Sequence, residues 1–132
     1  MNNEFDTKTL VEIASLLIHA AKIDENYTQN EEEIIKEFIN SFIKNDLKTE
    51  EILKDAHTNE ENSNQILKFT QILKENSLEF KTKVVKELWR IVISDKNADE
   101  HESTLIRRIC GLIYFPDKMS NEIKNNLIDK NK

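Results

Sequence analysis

Glu87-Leu88-Trp89-Arg90-Ile91-Val92-Ile93-Ser94, then Asp95-Lys96-Asn97-Ala98-Asp99, then Glu100-His101-Glu102-Ser103-Thr104-Leu105-Ile106-Arg107-Arg108-Ile109, reads as two amphipathic helices joined by a polar connection. Val84, Val85, Leu88, Trp89 and Val92 recur at helical spacing on the first, and Leu105, Ile106, Ile109, Cys110 and Ile113 on the second. A shift of 71 residues lays an earlier hairpin on this one. Leu17 falls on Leu88, Ala21 on Val92, Ile34 on Leu105, Ile35 on Ile106, Phe38 on Ile109 and Phe42 on Ile113. The connections match as well, since Asp24, Asn26 and Glu31 fall on Asp95, Asn97 and Glu102. Both read D-x-N-x-x-x-x-E. The simplest packing is two antiparallel helical hairpins about a pseudo-twofold axis, because neither hairpin buries its apolar stripe alone.

Outward from the repeat, the pattern predicts a single all-α domain over 1–132, with about seven helices. The first hairpin covers 7–44, an inserted helical arm 46–76, the second hairpin 77–113 and a closing helix 116–128. Asp6 or Thr7 caps the first helix, which runs to about Ile23, and Asn45-Asp46 ends the second. Thr49 caps a weak helix that fades in the polar run Thr58 to Asn64, the expected flexible point. Ser77 caps the long fifth helix, Gly111 lies near the end of the sixth, and Pro116 starts the last. The chain of 132 residues holds one Gly and one Pro, too few for the turns of sandwiches, barrels or dinucleotide-binding sheets. A Gly-rich phosphate loop cannot be written with one glycine.

The formal net charge is −6, from 25 acidic and 19 basic residues, so nucleic acid is not an expected partner. Cys110 is the only cysteine, which excludes an intrachain disulfide and reads as a small buried hydrophobe. The start, Met1 to Asp6, has no basic stretch followed by an apolar one, and no apolar run is long enough to span a membrane. The expectation is a cytoplasmic protein with no direct membrane insertion.

Asp24, Glu31, Asp95 and Glu102 form the sharpest polar set. One reading is a divalent-cation site of hard oxygen ligands where the two connections approach. The other is capping: Thr28-Gln29-Asn30-Glu31 is a capping box and Asp99-Glu100-His101-Glu102 its Asp variant. In that case Glu31 and Glu102 satisfy free N–H groups, and Asp24 and Asp95 hold the preceding turn. An EF-hand fails, because its glycine position holds Gln29 and Glu100 and its final glutamate position holds Ile35 and Ile106. His19, His57 and His101 have no H-E-x-x-H spacing, and Ser103 with His101 two residues away makes no triad. No carboxylate pair stands out as acid and base, so the expectation is a non-enzymatic chain. Arg107-Arg108 with Arg90 read either as surface ion pairs or as contacts for an acidic partner. Glu31-Glu32-Glu33 offers a docking face for a basic partner.

These stretches carry a resemblance. Glu87 to Asp95, Asp99 to Glu102 and Leu105 to Ile109 are similar to the second half of TerB-like domains, a family named from tellurite-resistance proteins. The pattern there is an L-W stretch, A-D-G, an acidic helix start and L-I-R-R. Phe69-Thr70-Gln71-Ile72-Leu73-Lys74-Glu75-Asn76 resembles the stretch before it, and Ala20-Ala21-Lys22-Ile23-Asp24 with Glu31 the family's first A-D-G unit. The resemblance covers nearly the whole chain and is closest to the short stand-alone branch. It implies a compact helical fold, a twofold-like arrangement and an acidic surface. It also implies a divalent metal ion, and partners in stress-linked, membrane-associated complexes. Glu25 and Lys96 stand where the pattern has Gly.

Overall fold

Seven helices and no strand make up the described residues: α1 (Thr7–Ala21), α2 (Gln29–Ile43), α3 (Asp46–Glu61), α4 (Ile66–Lys74), α5 (Leu78–Ser94), α6 (Glu100–Leu112) and α7 (Asp117–Lys130). The computed structural model describes residues 7–22, 29–62, 66–94 and 100–130, with side chains outside the description at 66–67, 94, 100–103 and 129–130.

Leu10, Ile13, Ala14, Leu16, Leu17 and Ile18 cover most of the circumference of α1 and leave a narrow polar stripe of Lys8, Glu12, Ser15 and His19, so the helix is stable only when largely surrounded. It packs most extensively on α3 and also contacts α2, α4, α5 and α6. One hydrophobic core results, with Ile35, Ile52, Phe69, Phe80, Leu88 and Ile106 converging on it from the other helices. Phe38, Phe42 and Phe80 tie α2 to α5, with Phe42 edge-on to Phe38 at 5.1 Å and to Phe80 at 5.7 Å between ring centroids. α7 lies against α5 and, less extensively, α6.

Two local expectations, both on the third helix, need correction. The third helix starts at Asp46, capped by Asn45, whose side-chain oxygen accepts from the Lys48 N–H at 3.0 Å. Thr49 is buried inside that helix instead, and its hydroxyl donates to Asn40 Oδ1 of α2 at 3.1 Å. The helix also does not fade at Thr58 but continues to Glu61, because Asn59 and Glu60 bond polar groups on α1. Gly111 lies near the end of α6 as expected, one residue before its last. It is helical, and the left-handed residue after the helix is Tyr114, at φ 60°. There Phe115 N–H closes on the Cys110 carbonyl at 2.8 Å. The Ser77 cap of α5 is present, with its hydroxyl oxygen accepting from the Phe80 N–H at 3.1 Å.

Two substitutions test this packing. Phe80→Ala removes a ring that is 1% exposed, and is expected to cost about 3–5 kcal/mol in denaturant unfolding. Gly111→Ala adds a methyl with nothing within 4 Å and is expected to gain about 0.5–1 kcal/mol by lowering the entropy of the unfolded chain.

Candidate functional site

The four acidic residues read from the repeat are placed unequally. Asp24, Asp95 and the side chain of Glu102 lie outside the described residues. Glu31 is described. It sits in the first turn of α2, where the first connection enters the helix, and is 0% exposed. A carboxylate removed from water needs hydrogen-bond donors or a cation beside it. Among the described residues, no three His, Cys, Asp or Glu side chains come together as a metal site.

The described residues also bring together polar groups that the sequence reading did not connect. Glu12 and Ser15 are buried on α1. Asn59 of α3 serves both: its Nδ2 donates to Glu12 Oε1 at 3.1 Å and to Ser15 Oγ at 3.0 Å. Ser15 Oγ in turn donates to the Val11 carbonyl at 2.7 Å. One turn along, Glu60 receives Lys22 Nζ at 2.9 Å and His19 Nδ1 at 3.3 Å. Glu12 and Ser15 share a polar stripe with Lys8 and His19, and that spacing alone does not say that the stripe is covered. The partner on α3 has no local signature.

The arginines divide. Arg90 is held by Glu87 of its own helix at 2.9 Å and Glu37 of α2 at 3.2 Å, as surface ion pairing predicts. Burial pushes the Glu87 carboxyl above its ordinary range, and the Arg90 guanidinium opposes that shift by favouring the charged form. Arg107 and Arg108 make no ion pair among the described residues. Cys110 is buried, and desolvation pushes its thiol up, with a Ser120 hydrogen bond opposing and Asp117 adding to the rise. The neutral thiol of a small core residue fits that environment. His57 faces Glu32 at 3.8 Å, and Glu32 also reaches Lys36 at 3.7 Å. The acidic run therefore presents Glu33 outward, while Glu31 is inside and Glu32 is paired.

The model of the family described as tellurite resistance protein TerB matches residues 10–125, most of the chain. The chain belongs to the TerB family. No match is found among curated proteins or among solved structures. The matched span takes in both connections, so the D-x-N-x-x-x-x-E pair lies inside the TerB region. No helix among the described residues of this TerB protein is long and apolar enough to cross a membrane.

Two measurements test these arrangements. Asn59→Ala leaves Glu12 and Ser15 without their shared donor and is expected to cost about 1–3 kcal/mol of stability. A cost indistinguishable from zero would remove Asn59 from the account of how α3 docks on α1. The second concerns pH. Because the folded Glu87 pKa is the raised one, the folded state holds that proton more tightly than the unfolded chain. Its contribution is fully present below the unfolded pKa and is lost as pH rises through the folded pKa. The stability of the parent protein relative to Glu87→Gln is therefore expected to fall as pH rises from acid toward neutral. A flat difference contradicts the burial argument.

Proposed function

We propose that this TerB-family chain is a non-enzymatic, stress-linked module whose two acidic connections hold a single divalent cation. In this reading the hairpins sit about a pseudo-twofold axis, so that Asp24 and Asp95 converge, with Glu31 and Glu102 behind them. It works in a reducing cytoplasm, where Cys110 remains a thiol. The observation that supports it is Glu31, fully buried where the first connection meets α2. Hard oxygen donors repeated in two connections suit calcium, magnesium or manganese better than a soft metal.

The test is thermal unfolding followed by Trp89 fluorescence, first with a chelator and then with calcium, magnesium, manganese and zinc in turn. An ion at 100 times its dissociation constant is expected to stabilise the fold by about 2.7 kcal/mol. Asp24→Asn with Asp95→Asn is expected to abolish the shift while leaving the helical content intact. No shift with any ion, or one that the double variant retains, overturns the reading.

Glu33 favours a second reading, a face that docks a basic or membrane-associated partner protein without metal. It is exposed in the first turns of α2, near the exposed Glu50 that Lys36 links to that helix. Glu33→Lys then weakens partner capture at low salt, while capture indifferent to that reversal excludes this face.

A further inference from the structure

A polar cavity of about 230 Å³ opens between α5, α6 and α7, lined by Trp89, Arg107, Asp117, Ser120, Asn121 and Lys124. Its electrostatics run against those of the whole chain. The protein carries −6, yet among the described residues the cavity brings two cations to one acid. Neither Arg107 nor Lys124 makes an ion pair among the described residues, in contrast to Arg90. They come from different helices, α6 and α7, and meet only because α7 folds back over α5.

The cavity is built on fixed groups. Trp89 is 5% exposed and donates its Nε1 proton to Ser120 Oγ at 2.9 Å. Ser120 is itself 4% exposed. Its oxygen accepts from the indole and its hydroxyl also bonds Cys110, so Ser120 fixes the Trp89 wall of the cavity. Lys124 Nζ stands 5.2 Å from the centroid of the Trp89 ring, a cation–π contact that holds the ammonium at the cavity. Arg107 brings a fork of N–H donors suited to bidentate recognition of oxyanions. The volume lies below the range of about 300–1,000 Å³ typical of drug-sized ligands, so the occupant is small.

We propose that this cavity binds a protonated phosphate oxyanion, held by Arg107 and Lys124, with Asp117 accepting a hydrogen bond from the P–OH group. Asp117 decides the chemistry. A bare carboxylate among the ligands repels an anion that has no proton to offer, and sulfate has none at neutral pH. Hydrogen phosphate always carries one there, so the acid that weakens sulfate becomes an acceptor for phosphate. A phosphomonoester, whose second pKa is about 6, has mostly lost that proton at neutral pH, so the occupant is free phosphate.

The test is isothermal titration calorimetry on the metal-free full chain at constant ionic strength, with inorganic phosphate, O-phosphoserine and sulfate in separate runs. Saturable one-to-one binding of phosphate is expected at neutral pH, with sulfate and O-phosphoserine each at least tenfold weaker. Arg107→Gln and Lys124→Gln should each weaken binding at least tenfold, with circular dichroism confirming the fold. Arg107→Lys, which keeps the charge and loses the fork, should also weaken it. Asp117→Asn should bring sulfate and phosphate close to equal affinity. Equal affinity for sulfate and phosphate in the parent protein, or phosphate binding unchanged by Arg107→Gln and Lys124→Gln, overturns the proposal, as do O-phosphoserine binding as tightly as phosphate and no binding of phosphate.

Discussion

The structure depends on the burial of α1. Ten of its fifteen residues are buried, and they surround the helix axis instead of marking one face. Such a helix cannot lie on the surface of a domain. It requires neighbours on most sides, and α2, α3, α4, α5 and α6 supply them. The same burial takes Glu12 and Ser15 out of water, and polar groups in that position demand partners. Asn59 answers both, which fixes how α3 lies along α1 and carries that helix beyond where its apolar pattern stops.

What the sequence disclosed follows from this. Helices marked by an apolar stripe, such as Leu88, Trp89 and Val92 in α5, were legible because burial leaves a period in the chain. α3 was the hardest, since Asn59 and Glu60 hold its last turns through side chains on α1 that lie about forty residues earlier. Its start was misplaced for a related reason. Asn45 and Thr49 both have cap-forming side chains, and only packing decides that Asn45 caps while Thr49 reaches across to Asn40. Gly111 does lie near the end of α6, while the left-handed conformation that follows the helix falls to Tyr114, its ring beside Lys74 Nζ, 5.0 Å from the centroid.

The acidic set was legible for a different reason: it repeats. Asp24 with Glu31 and Asp95 with Glu102 stand out because a shift of the chain superimposes them together with the apolar stripes. The structure adds one of these side chains, Glu31, and shows it to be buried, which is more demanding than an exposed cap. The cavity beside α7 had no such signal. Trp89 reads as core, and its ring is buried, but its N–H is directed to Ser120. Ser120 and Lys124 belong to no sequence motif, and only the fold brings them to Arg107.

The proposed cation site in the acidic connections and the proposed phosphate cavity are opposite ligand chemistries in one small helical protein. The central claim is that the two connections act as one site because the hairpins bring them together. Stoichiometry tests this most directly: the metal content of the full-length chain, measured after equilibrium dialysis against a saturating divalent ion. One ion per chain is the predicted result. Two ions would mean that each connection binds by itself, and none would return Asp24, Glu31, Asp95 and Glu102 to the role of caps and turn anchors.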